Sequence, residues 1–482
     1  MGFETVLILT LASVFGFYMA WNIGANDVAN AMGTSVGSKA LTLKQAILVA
    51  AVFEFAGAFL VGSHVTDTVR KGMIDLSVFT SMEDGVNILM YGMLASLLAA
   101  GAWLQVATYF GWPVSTTHSI VGAIVGFGVV AGGASGVAWG KIGQIVMSWV
   151  ASPLLSGTIG FLVFSGIRRT IINVPDPVRA TKRWAPLYVF LVFAILTLVT
   201  LFKGLKNLKL DLSLPEALLV ASAVGAVASV LGSVLIRRVR VGAVSDDGPS
   251  LAPMGGDLRA MVKHVRKIRS MVTPEVQKDV EGIQEDIDGL MEKVRQSEAS
   301  INTREEYRFV EKVFAYLQIL SACFVAFAHG ANDVANAIGP FAAVVALARD
   351  GSAALEGKTA VPVWILLVGG AGIVVGLSMW GWRVMATIGQ KITELTPSRG
   401  FAAEFAAATT IVMASRLGIP ISTTHTLVGA VLGVGLARRM ESLNRRVVRD
   451  IVASWVVTLP AGAGLSIVFF FVIKGAFRAF GG

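Results

Sequence analysis

Apolar residues along this chain fall into helix-length blocks, at about 3–23, 43–70, 86–109, 113–131, 139–168, 185–203 and 214–236. A second series follows at about 313–329, 361–389, 400–416, 419–437 and 450–475. Blocks such as Leu187–Phe202, Ala217–Ile236 and Ile451–Ile473 approach or exceed the roughly 20 residues that cross a bilayer as a helix. Between the series lies one long polar segment, Arg237 to Lys312. The pattern predicts an all-α polytopic membrane protein with about 10–12 membrane segments. The first block, Phe3–Trp21, carries Glu4 where a cleavable leader would be basic, so it reads as a membrane helix.

Polar residues interrupt the blocks in an ordered way. Gly24-Ala-Asn26-Asp27-Val-Ala-Asn30-Ala-Met-Gly33 returns as Gly330-Ala-Asn332-Asp333-Val-Ala-Asn336-Ala-Ile-Gly339. A second motif, Pro113-Val-Ser115-Thr116-Thr117-His118, returns as Pro420-Ile-Ser422-Thr423-Thr424-His425. From the first Gly of one motif to the Pro of the next is 89 residues in the first copy and 90 in the second. Two motifs repeated at nearly constant spacing mean duplicated halves. The expected organisation is a first repeat over 1–168, two added membrane helices over 185–236, a helical loop over 237–308 and a second repeat over 309–475. Many glycines sit inside the blocks in small-xxx-small spacing, as at Gly122/Gly126 and Gly429/Gly433, which lets helices approach closely.

Composition agrees and adds orientation. Of 482 residues, 55% are hydrophobic and 15% charged, against about 25% charged in an average soluble domain. Mean hydropathy is +0.71. The net charge of +9 therefore reads as positive-inside loop charge and not as a nucleic-acid surface. Arg438, Arg439, Arg445, Arg446 and Arg449 crowd the link before the last helix, whereas the equivalent link, Ala131–Gly140, is uncharged. Corresponding loops then lie on opposite sides, which predicts inverted repeats. Arg168–Arg183 and the segment opening with Arg237, Arg238 and Arg240 would be cytoplasmic, with both termini outside. The single Cys323 excludes a disulfide framework.

The motifs carry the chemistry. A tetrahedral oxyanion at membrane depth needs hydroxyl and amide donors and helix N-termini aimed at it, and each Pro-x-Ser-Thr-Thr offers a helix start with three hydroxyls. Asn26, Asp27, Asn30, Asn332, Asp333 and Asn336 supply the oxygens that suit hard cations. Gly24, Gly33, Gly330 and Gly339 bracket these clusters, and the expectation is of broken or re-entrant helices whose free carbonyls help coordinate a cation. Glu54 and Glu404 are further intramembrane acids, functional by default through cation or proton coupling. Gap-free counting from the Pro motifs puts Glu54 opposite Val361 and Glu404 opposite Leu97; matching block starts puts Glu54 opposite Gly372. Either way each half holds one glutamate at a different place. Gln105 is a further candidate oxygen ligand. With no cysteine or second histidine near in sequence, His118 and His425 favour capping hydrogen bonds over metal binding. Phosphate-loop, dinucleotide and His-Glu-x-x-His motifs are absent, which disfavours an ATP-driven pump.

Both Gly-Ala-Asn-Asp-Val-Ala-Asn copies, both Pro-x-Ser-Thr-Thr-His copies, Glu54 and Glu404 resemble the inorganic phosphate transporter (PiT) family, related to the sodium–phosphate cotransporters of animal cells. The resemblance covers roughly 1–168 and 309–475. It implies no enzyme and no cofactor, but uptake of phosphate coupled to Na+ or H+ around a central site, in a plasma or inner membrane. Asp27, Ser115, Thr116, Thr117, Asp333, Ser422, Thr423 and Thr424 would hold phosphate, the Asn residues and backbone Na+. The expected cycle is alternating access, cations first. The expected partners are phosphate, Na+ or H+ and lipid, not nucleic acid, and a homodimer is a common arrangement. Rival readings are a sulfate or other oxyanion carrier of the same fold, a passive anion channel and a membrane phosphatase.

Overall fold

A computed structural model describes residues 2–62, 72–201, 212–239, 252–356, 361–385, 395–417, 419, 421–438 and 445–480. Of the residues discussed above, Phe202, Pro420, Arg240 and Arg439 lie outside these, as do the ends of the predicted blocks at 43–70, 185–203 and 361–389. The described residues are helical nearly throughout, with one isolated bridge between Ile74 and Val137.

The first half contributes α1 (Phe3–Gly37), α2 (Leu43–Val61), α3 (Gly85–Tyr109), α4 (Thr116–Gly132) and α5 (Trp139–Ile167). Next come α6 (Pro177–Val199), α7 (Leu214–Arg238), α8 (Ala252–Arg269) and α9 (Pro274–Asp350). The chain closes with α10 (Val363–Trp380), α11 (Pro397–Arg416), α12 (Thr423–Arg438) and α13 (Arg445–Phe480). Among the described residues, nine helical stretches are long and apolar enough to cross a membrane. Helix α4 is apolar but shorter, and α12 and α11 accompany it as the elements that carry Thr423–His425 and Glu404. Local sequence sets the ends. Thr42 and Gln45, for instance, form a reciprocal capping box that starts α2.

The chain divides into two compact units. One comprises 1–168, 186–232 and 314–482 and holds both motif pairs. Its helices turn large apolar side chains outward, among them Leu48, Leu154, Leu162, Leu219 and Leu231, as a lipid-facing surface requires. The other comprises 169–185 and 233–313. There Leu258 and Val262 of α8 pack on Ile287 of α9, flanked by Val265 and Met291, and Arg269 pairs with Glu281. This matches the helical spacing of Leu258, Val262 and Val265 in sequence.

In the first unit the duplicated helices interlock reciprocally. Gly122 and Gly126 of α4 lie on the α13 backbone at Leu459 and Ala463; Gly429 and Gly433 of α12 lie on the α5 backbone at Pro153 and Gly157. In the same way Gly24 of α1 abuts the Ile373 carbonyl of α10, and Gly330 of α9 abuts the Glu54 carbonyl of α2. A side chain at either position would collide with that carbonyl. These contacts make Glu54 the spatial counterpart of Ile373, one residue from the Gly372 that block-start matching gives.

One expectation fails here. Helices α1 and α9 run unbroken through both Asn-Asp motifs. Gly24 and Gly330 permit close helix approach, and they do not break the helix. The real interruption lies at the other motif: α3 ends at Tyr109, the chain turns at Gly111 with φ of +69°, and residues 112–115 are non-helical before α4 begins.

Candidate functional site

Local capping positions the threonines. Ser115 has extended backbone, and its Oγ accepts from the His118 amide at 3.2 Å; Ser422 Oγ accepts from the His425 amide, also at 3.2 Å. These serine hydroxyls are therefore N-caps. Thr116–Thr117 and Thr423–Thr424 fill the first turns of α4 and α12, whose amides have no partner within the helix. The two tips meet: Thr117 Oγ1 donates to the Ile421 carbonyl at 3.1 Å, and Thr424 Oγ1 to the Val114 carbonyl at 3.2 Å.

The Asn-Asp motifs face these tips with the same reciprocity. Asn30 Nδ2 donates to Thr424 Oγ1 at 2.9 Å and to Asp27 Oδ1 at 2.9 Å. Asn336 Nδ2 donates to Thr116 and Thr117 Oγ1, both at 3.3 Å. Thr423 Oγ1 donates to Asp333 Oδ2 at 2.6 Å, and Thr424 Oγ1 reaches Asp27 Oδ1 at 3.4 Å. Asn332 is buried beside Asp333.

At the centre stands a residue that the sequence reading missed. His329 Nε2 lies 2.8 Å from Asp333 Oδ2 and 3.6 Å from Asp27 Oδ2, and its Nδ1 lies 3.4 Å from Glu54 Oε1. These are close charge contacts that are not aligned as hydrogen bonds. One oxygen of each Asp and one His329 nitrogen fall within 4.8 Å of one another. All four residues are fully buried. Asp27 Oδ2, Asp333 Oδ1, Asn30 Oδ1 and both Glu54 oxygens have no hydrogen-bond partner. Three carboxylates face one imidazole, so ionised acids would leave net negative charge inside the protein, where it is costly without a counter-ion.

Glu404 is built differently. Its Oε1 accepts from Thr34 at 2.6 Å, Ser35 at 2.7 Å and Gln318 at 3.0 Å, and its Oε2 accepts from Ser321 at 2.5 Å. Four donors from α1 and α9 satisfy this carboxylate.

Residues 23–466 match the phosphate transporter family. The chain belongs to that family. It is 47% identical over 468 residues to the chloroplastic inorganic phosphate transporter 2-1 of Arabidopsis thaliana, covering 97% of this chain and 72% of the relative. To a putative phosphate permease of Haemophilus influenzae it is 42% identical, covering 98% of each chain. Among solved structures it is similar to a sodium-dependent phosphate transporter, with a TM-score of 0.77 and 38% identity over 97% of this chain and 99% of that one. A phosphate transporter family is one of membrane carriers and not of enzymes.

Within this family member, two predicted ligands go elsewhere. Asn26 donates to Thr108 Oγ1 at 2.9 Å and the Trp112 carbonyl at 3.1 Å, and its oxygen accepts from the Val114 amide at 3.3 Å. Its amide thus fastens the non-helical 112–115 stretch. The Gln105 oxygen accepts from the Tyr18 hydroxyl, a bond between α3 and α1. His329 did leave a sequence trace: it immediately precedes the second motif, where the first copy has Ile23. Gln318, Ser321, Thr34 and Ser35 read as ordinary helix residues until Glu404 lands among them. Sequence distance also misled for His118 and His425, whose rings meet at 4.5 Å between centroids.

Proposed function

We propose that this chain is a secondary active importer of inorganic phosphate driven by a cation gradient, with Na+ favoured over H+. The observation that carries the proposal is the set of unpartnered, buried oxygens of Asp27, Asp333, Glu54 and Asn30 against two facing helix tips rich in threonine. Such oxygens suit a hard cation, and the tips suit a tetrahedral anion.

The geometry supports a cation-first order. Thr423 now donates its hydroxyl to Asp333, and Thr424 donates to the Val114 carbonyl close to Asp27. A cation on the aspartates competes for the oxygen that Thr423 uses, so that hydroxyl turns to the anion. The same cation offsets the acids' repulsion of phosphate. His329 bridges the three acids and holds them at the spacing a cation then occupies. Glu54 is a ligand or coupling group, and Glu404, with four donors, fixes α1 against α9 and α11. Phosphate protons can bond to Asp27 and Asp333, which favours phosphate over sulfate.

The reciprocal contacts of the halves and the opposed loop charges support inverted repeats over 1–168 and 309–475 that rock about this site. The helices at 185–236 are additions, the 237–308 segment is cytoplasmic and both termini are outside. Uptake of radiolabelled phosphate into proteoliposomes tests the assignment. Asp27→Asn and Asp333→Asn each remove a cation oxygen, and uptake is expected to fall about tenfold or more, a loss of at least about 1.4 kcal/mol. Undiminished cation-driven uptake in both variants would defeat the proposal.

A further inference from the structure

The second half of the Pro-x-Ser-Thr-Thr-His motif ends in a cluster that the acid site does not use. His118 of α4 and His425 of α12 meet edge to face, with planes at 77°. His118 lies 3.7 Å from the Trp149 ring, and His425 lies 3.5 Å from the Trp455 ring, centroid to centroid. Each imidazole also reaches the opposite tryptophan's backbone: His118 Nδ1 is 3.4 Å from the Trp455 carbonyl, and His425 Nδ1 is 3.2 Å from the Trp149 carbonyl. A carbonyl only accepts, so Nδ1 carries the hydrogen in both rings and Nε2 keeps its lone pair.

Both Nε2 atoms are buried and have no partner, as are Trp149 Nε1, Trp455 Nε1 and, one turn beyond Trp149, Ser152 Oγ. Both histidines are 4% exposed. Buried polar atoms are rarely left unpaired, and this group carries five.

We propose that His118 and His425 hold a transition-metal ion of the borderline class, Zn2+ or Cu2+, through their Nε2 atoms. A metal-binding histidine commonly donates its other ring N–H to a carbonyl, which fixes the tautomer, and both rings here do so. Imidazole pairs suit Zn2+ and Cu2+, and a hard cation would leave them. With metal–nitrogen bonds of about 2.0–2.1 Å each ring centre lies about 3.2 Å from the ion, so ring centres 4.5 Å apart correspond to a nitrogen–metal–nitrogen angle of about 90°. Two protein ligands leave other positions to water. Bound water can accept from the indole N–H groups, which cannot ligate a metal themselves. The ion would tie the first turns of α4 and α12 together, directly behind Thr116–Thr117 and Thr423–Thr424. A slowing of transport by the metal rests on the proposed function; the binding itself does not.

Two measurements on the full-length protein in detergent test this. Cu2+ electron paramagnetic resonance of the unsubstituted chain is expected to show two coordinating imidazole nitrogens, which the acid cluster with its lone His329 would not give. Equilibrium dialysis with Zn2+ on the Asp27→Asn/Asp333→Asn background is expected to show one bound ion per chain. His118→Gln or His425→Gln on that background should weaken it at least tenfold. A spectrum with one nitrogen or none, or Zn2+ binding that both histidine variants keep, would show that the cluster holds buried water only. Metal content is read without transport, so failure here and failure of the phosphate assignment are separate results.

Discussion

Glu54 and Glu404 are both buried intramembrane acids, yet the protein treats them oppositely. Glu54 has two unpartnered oxygens, whereas Glu404 has four donors. Replacing Glu54 by Gln removes a buried acid that no hydrogen bond supports. Thermal stability should hold or rise, while cation-driven phosphate uptake drops about tenfold or more. Glu404→Gln keeps an acceptor for Thr34, Ser35 and Gln318 and can donate to Ser321, so its stability should stay close to the parent's. Glu404→Ala strands those donors and should cost about 2–5 kcal/mol, read as a lower unfolding midpoint in detergent. If Glu404→Ala were as stable as the parent, the cage would have no structural role. At this scale the sequence revealed which residues were exceptional but not their partners. An acid in an apolar run is conspicuous, whereas Ser35 or Gln318 has meaning only once α1 and α9 bring it to Glu404.

Among the helices, the repeat itself was legible, because near-identical motifs at nearly constant spacing need no coordinates. The small-xxx-small reading was sound too: Gly122/Gly126 and Gly429/Gly433 do seat α4 and α12 on α13 and α5. The expected break at the Asn-Asp motifs was not sound. Glycine in a helical sequence signals either flexibility or close contact, and only the neighbouring helix decides which. Here Gly330 meets the Glu54 carbonyl, so Gly330→Ala forces α9 away from α2 and displaces Glu54 from His329. The expected cost is about 1–3 kcal/mol of stability with a loss of uptake. Gly143→Ala, in open space on α5, serves as the control and should change neither. Equal behaviour of the two variants in thermal unfolding would contradict the packing role of Gly330.

For the whole molecule, membrane character and duplication follow from pattern alone, and loop charge adds an orientation. Cys323→Ser yields a cysteine-free chain on which single cysteines can be placed. With an impermeant maleimide on intact cells, Gly2→Cys should label from outside and Glu281→Cys only after permeabilisation. The reverse pattern would overturn the orientation. Orientation matters because the proposed alternating access requires the two threonine-bearing tips to be reached from opposite faces in turn. The central claim is that buried unpaired acids couple a cation to the anion, and it is tested most directly by radiolabelled phosphate uptake into proteoliposomes under separately imposed Na+ and pH gradients. An inward Na+ gradient is predicted to drive phosphate above its external concentration, with the accumulation abolished in Asp333→Asn. Phosphate that only equilibrates, under either gradient, would mean a passive pathway and would contradict the account.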